Sequence, residues 1–217
     1  MSALLAATVM FSAGAGNAAV TIYTTVASFN AAVRSPAIDT FEDFAIVAPT
    51  PSPVVRLIGS YGYTATVSVT DPLLSDTFYG AGSNADRWLS TNFALGTIVF
   101  SAFTGGVKGV GGFFFGSDMA GAFQSGNVNV TAADGSGSVG QLLTGATTTT
   151  FLGFVTTGTF TSIKVGAVQP VGDFMWPTVN DLRLAAGPVP EPATWALMIV
   201  GFGLIGAALR HRATAVA

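Results

Sequence analysis

Between Ala19 and Gly187 the β-formers come in short runs, and Gly, Pro, Asn or Asp breaks each run at short intervals. This spacing constrains the fold more than any other feature. An amphipathic helix needs a long stretch of 3.6-residue periodicity, whereas a strand needs only about four to eight residues. Val, Ile, Thr, Phe and Tyr dominate the runs at 20–23, 38–44, 63–69, 97–103, 110–115, 128–132, 149–156, 160–165 and 178–184. Short strands at this spacing predict a mainly β fold, an antiparallel β-sandwich or jelly roll. One short helix is expected over 26–34, capped by Thr25, with Val26, Phe29, Ala32 and Val33 on one face. It must end before Pro36.

Details within the runs carry further expectations. Phe113, Phe114 and Phe115 are all apolar, which predicts a central strand covered on both faces. In TFTSIKV, alternation places Thr161, Ile163 and Val165 on one face and Phe160, Ser162 and Lys164 on the other. In TVNDLRL it places Asn180, Leu182 and Leu184 opposite Val179, Asp181 and Arg183. Gly80-Ala81-Gly82-Ser83-Asn84 and Ala133-Asp134-Gly135-Ser136-Gly137 read as loops.

Composition narrows the chemistry. Only 9% of the 217 residues are charged, against about 25% in an ordinary soluble domain. The net charge is −3 and no basic face emerges, which argues against nucleic acid as a partner. There is no cysteine, so disulfides, iron–sulfur clusters and thiol catalysis are excluded. The one histidine, His211, lies near the C-terminus, so the body offers no Ser-His-Asp triad and no ordinary zinc site. Lys108 and Lys164 give little support to a Ser-Lys mechanism, and the Gly105–Gly112 stretch lacks the GK[ST] of a phosphate loop. The body is therefore not expected to be an enzyme. A carboxylate-dependent hydrolase survives as the weaker alternative, since Glu42 and nine aspartates remain.

The two ends differ from the body. Residues 4–11 read as the apolar region of a signal peptide, with a small-residue cleavage site ending at Ala18, although no Lys or Arg precedes them. At the other end, GFGLIG matches the dinucleotide pattern at Gly201, Gly203 and Gly206, but none of the eleven residues after Gly206 is acidic. The uncharged stretch 193–209 is better read as a transmembrane helix. It rises about 26 Å, the lower limit for a hydrocarbon core of about 30 Å. Trp195 suits the outer interface, and Arg210 and Arg212 suit the cytoplasmic side. Gly203 and Ala207 form a small-residue pair of the kind that lets helices approach.

Pro190-Glu191-Pro192 precedes that stretch as a stiff extended segment. The order Pro-Glu-Pro, WALMIVGFGLIGAAL, then Arg-His-Arg resembles the PEP-CTERM sorting signal of Gram-negative bacteria. The resemblance covers about 189–212. It implies export through the Sec translocon and signal peptidase, transient residence in the inner membrane, and cutting by an exosortase at or near Pro190, Glu191 and Pro192. It also implies delivery to the envelope or outside, often beside exopolysaccharide. The expected organisation is a signal peptide over 1–18, a β-sandwich ectodomain over 19–187 and the sorting signal over 188–217. The expected role is a non-catalytic envelope or extracellular-matrix protein.

Two candidate binding sites stand in the body, though most of its aromatics are expected to be core or rim residues. By analogy with jelly-roll carbohydrate-binding modules, a structural Ca²⁺ would join Glu42 to Asp181, helped by Asp39 and Asn180. Solvated strand-end carboxylates are the plainer reading of the same residues. Sugar binding requires exposed aromatics, and Tyr61, Tyr63, Tyr79, Trp88 and Trp176 are the candidates. Trp88, beside Asp86-Arg87 in a loop-like region, is the first choice.

Overall fold

The computed structural model describes residues 19–46, 48–70, 77–187 and 198–205. The expected signal peptide lies outside the described residues, as does most of the expected sorting signal.

In chain order the body begins with β1 (Val20–Tyr23), α1 (Val26–Ala32), β2 (Arg34–Asp39), β3 (Pro49–Pro51), β4 (Val54–Ile58) and β5 (Tyr61–Ser68). It continues with β6 (Thr77–Ser83), β7 (Asp86–Thr91), β8 (Thr97–Thr104), β9 (Gly109–Ser117) and β10 (Phe123–Gln124). The last strands are β11 (Gly126–Asp134), β12 (Gly137–Ala146), β13 (Phe151–Thr156), β14 (Phe160–Val168) and β15 (Trp176–Ala186). They form two sheets, and every pairing between them is antiparallel. The first sheet runs β1-β13-β9-β15-β7-β6-β3, with β10 beside β9 and β2 beside β15. The second runs β12-β11-β14-β8-β5-β4. The expected mainly β, antiparallel architecture is thus present.

The main core lies between the sheets. Val110, Phe114, Leu152, Phe154 and Leu184 come from the first sheet, and Tyr63, Ile98, Phe100, Val130 and Ile163 from the second. A smaller apolar layer covers the outer face of the first sheet under α1. Thr25 caps this helix, its hydroxyl accepting the Ser28 N–H at 3.1 Å. Phe29 and Val33 are the buried residues expected on the apolar face, and Val26 and Ala32 pack beside them. Glycine makes room for that seat: a Cβ on Gly153 would lie 2.5 Å from the Phe29 ring, and one on Gly109 would lie 2.7 Å from Val33. Because α1 covers one face and the core the other, β9 and β13 are buried on both sides, as the three adjacent phenylalanines indicated.

Several expectations need correction. The loop read at 80–84 is mostly strand, because β6 and β7 form a hairpin whose turn is only Asn84-Ala85. Gly80 serves close approach there, since a Cβ would meet the Ala45 carbonyl at 2.6 Å. The expected strand 38–44 stops at Asp39, and Phe41 turns the chain with φ 58°. Strict alternation fails in β15. A bulge with Asp181 at φ 50° shifts the register against β9, so Val179, Leu182 and Leu184 all reach the core. A second register shift near Asp134 lets Phe160 join Ile163 and Val165 in the interior.

The transmembrane helix expected over 193–209 is not supported by the described residues. Helical backbone covers 198–205, about 12 Å of rise, and no helix among the described residues is long and apolar enough to cross a membrane. Residues 193–197 and 206–209 lie outside the described residues.

Candidate functional site

The bulge at Asp181 marks a junction. Before it, Thr178 and Val179 pair with β7; after it, Leu182 to Ala186 pair with β2. Acidic side chains gather where the edge partner changes. Asp39, at the end of β2, is 2% exposed and faces the second sheet. Its two oxygens accept from Arg56 Nη2 at 2.7 Å and Nε at 2.8 Å, from the Tyr63 hydroxyl at 2.6 Å, and from the Phe41 N–H at 3.1 Å. Arg56 also donates to Asp43 and stands over the rings of Phe41 and Phe44. The Arg56 hydrogen bond, more than its charge, holds the Asp43 carboxyl below the usual range. Burial, then the Asp39 carboxylate, pushes the Tyr63 hydroxyl well up. This arrangement is a structural tie between the two sheets.

Glu42 and Asp181 belong to a different neighbourhood. Glu42 accepts the Arg87 N–H at 3.1 Å, and the Arg87 guanidinium donates to the carbonyls of Glu42 and Phe44. Asn180 donates to Asp86 at 3.1 Å and accepts the Asp181 N–H at 2.8 Å. Burial is the main cause that raises the Asp181 carboxyl; Asp86 and Glu42 add to it, and Arg183 opposes it. Of the four expected Ca²⁺ ligands, Asp39 is taken up by Arg56 and Tyr63, while the other three sit near Asp86. Among the described residues no group of three or more His, Cys, Asp or Glu is arranged to hold a metal ion. Asp39, held by Arg56 and Tyr63, is thus not free to join Glu42, Asn180 and Asp181 as expected.

The aromatic candidates separate by environment. Tyr61 and Tyr63 are core residues, 3% and 1% exposed. The Tyr61 hydroxyl donates to the Ser35 carbonyl and accepts the Ala186 N–H, a second tie between the sheets. Trp88 is half-buried in β7, packed edge-on against Phe115 at 4.9 Å, with its indole N–H buried and unpartnered. Tyr79 and Trp176 instead line a cleft of about 470 Å³ on the outer face of the first sheet. Ser90, Asn92, Ser117 and Asp118 line it with them. The turn after β9 closes over one side, latched to β6 by the Gly82 N–H donating to the Gly121 carbonyl at 2.8 Å. Asn92 and Asp118 were not singled out from sequence. The available signal for Asp118 was an Asp three residues before Gly121, a turn-forming pattern.

Fold and sites together define a two-sheet antiparallel β-sandwich bound by polar ties between its sheets. The chain carries the PEP-CTERM protein-sorting motif, matched over residues 188–213, immediately after Gly187. This motif marks an exported, membrane-passing protein that an exosortase sorts. No curated protein and no solved structure matches the chain. Pro190, Glu191, Pro192, Trp195, Arg210 and Arg212 lie outside the described residues. Gly201 and Gly203 fall on the short helix, with open space where a Cβ would stand.

Proposed function

We propose that the mature protein is a non-catalytic component of the cell envelope or extracellular matrix, held briefly in the inner membrane and released from its tail by an exosortase. The observation that carries this reading is the sorting motif over 188–213, which begins two residues after β15 ends. A cut near Glu191 would free the sandwich without touching any strand. The short helix supports a lipid environment for the tail: Met198, Ile199, Val200, Phe202, Leu204 and Ile205 all expose their side chains. A membrane span over 193–209 and a cytoplasmic Arg210 and Arg212 belong to this proposal. Three of the described acidic groups support a structural role: Asp39, Asp43 and Asp134 are engaged in ties and turns.

The alternative is a Ca²⁺-assisted carbohydrate-binding module, whose metal would have to be held by Glu42, Asn180 and Asp181 without Asp39, which Arg56 and Tyr63 engage. Its carbohydrate component is favoured by the cleft. The sorting reading is tested by fractionating the host. Wild-type protein is expected outside the inner membrane, and Glu191→Ala protein is expected to accumulate in it. Equal distribution of the two would refute sorting through this motif.

A further inference from the structure

The cleft on the outer face of the first sheet has a construction that neither the core nor the tail explains. Tyr79 pairs with Ser90, and Ser90 pairs with Thr178, so three adjacent strands meet in one row. Trp176 stands two residues before Thr178 on the same face. Two aromatic side chains therefore rise from β6 and β15, about 12 Å apart (two strand spacings across and two residues along), with the small Ser90 of β7 between them. The result is a trough with aromatic walls and a low floor.

The floor is polar and rigid. Ser90, Ser117 and Thr178 are each no more than 2% exposed. Thr178 lies 2.8 Å from the Ser117 hydroxyl, and Ser90 donates to the Pro177 carbonyl at 3.1 Å. These hydroxyls satisfy one another. The groups left over stand at the rim. Among the described residues, the Tyr79 hydroxyl, the Asn92 side-chain amide, the Trp176 indole N–H and the second carboxylate oxygen of Asp118 have no partner. The first Asp118 oxygen accepts the N–H groups of Ala120 and Ala122, both at 2.9 Å, which fixes the carboxylate's direction.

We propose that this cleft binds a neutral saccharide, with a pyranose face against Trp176 or Tyr79 and its hydroxyls on Asn92 and Asp118. A sugar ring offers an apolar C–H face and a rim of hydroxyls. The cleft offers aromatic walls, one donor-and-acceptor amide and one oriented acceptor. Its volume falls in the range of small-molecule sites, about 300–1,000 Å³. Among the described lining residues Asp118 is the only charged one, so an anionic sugar, phosphate or sulfate meets a like charge there. Met119 and Phe174 expose apolar surface beside the cleft, which gives a neighbouring sugar unit something to lie on. The site is independent of the tail and stands or falls apart from the sorting reading.

The test uses the purified full chain in a detergent without a sugar headgroup. Short neutral hexose oligosaccharides are titrated in calorimetry, with an oligouronate of equal length beside them. Saturable binding of a neutral oligosaccharide at about millimolar or tighter is expected, with none for the oligouronate. Trp176→Ala and Asn92→Ala are each expected to weaken it about tenfold or more. Asn92 is exposed and its side chain makes no structural bond, so Asn92→Ala should melt at the wild-type temperature. No saturation by any neutral oligosaccharide, wild-type affinity in both variants, or tighter binding of the oligouronate would overturn the proposal.

Discussion

Arg56 offers the sharpest test of how this charge-poor chain holds its sheets together. It sits on β4 of the second sheet and grips Asp39 on β2 of the first, with two bonds of 2.7 and 2.8 Å. Asp39 is 2% exposed, so Arg56→Met strands a buried carboxylate with only the Tyr63 hydroxyl and the Phe41 N–H. Breaking a buried pair by removing one partner costs about 3–5 kcal/mol. A folded domain has only about 5–15 kcal/mol in all, so a large share of the stability should vanish. Asp43 is the internal control. Arg56 bonds it too, but its side chain is 63% exposed, so Asp43→Asn should cost less than about 1 kcal/mol. The assay is urea unfolding at neutral pH of Arg56→Met, Asp39→Asn and the double variant. The double variant should be more stable than the sum of the singles implies, by at least about 1.5 kcal/mol. A cost below about 1 kcal/mol for Arg56→Met, or additive singles, would refute the reasoning.

Three further outcomes follow from the packing and the charges. Gly153→Ala puts a Cβ 2.5 Å from Phe29 and should lower stability by about 1–3 kcal/mol, read by urea unfolding; Gly135→Ala, which meets open space, should cost far less. Asp181 is raised chiefly by burial, so its charged form opposes folding above the ordinary carboxylate range; Asp181→Asn, which also suits φ 50°, should raise the melting temperature at pH 7 and lose that advantage below about pH 4. Asp134 is held at about 2, first by the Ser136 hydroxyl and then by Thr156. Its stabilising share is present above the ordinary value of 3.8 and is lost as pH falls towards about 2, so the stability gap to Asp134→Asn should close in that window in acid titration.

What the sequence made legible was local. Thr25 and the spacing of Val26, Phe29, Ala32 and Val33 carry the helix by themselves. Phe113-Phe114-Phe115 announces a strand covered on both faces, because only full burial tolerates such a run. What stayed hidden was set by partners distant in sequence. Gly80 and Gly82 read as loop formers, yet they lie in a strand, at positions where a Cβ would meet the Ala45 and Asp86 carbonyls. The Asp39–Arg56 tie spans 17 positions and leaves no local pattern. The bulge at Asp181 arises because β15 exchanges β7 for β2, and alternation cannot show an exchange of neighbours. The aromatic site was half legible. Tyr79 and Trp176 were visible as candidates, but only the strand register separates them from Trp88, whose ring Phe115 already covers. The tail was the reverse case: its residue order alone carried the sorting motif.

The most direct test of the account is the intact mass of the protein recovered from outside the inner membrane of its native host. The account expects a chain that has lost the segment from Ala193 onward, ending near Pro190-Glu191-Pro192, and a Glu191→Ala variant that keeps it. A mature protein that retains residues 193–217 outside the inner membrane, or a Glu191→Ala chain cut like the wild type, would contradict it.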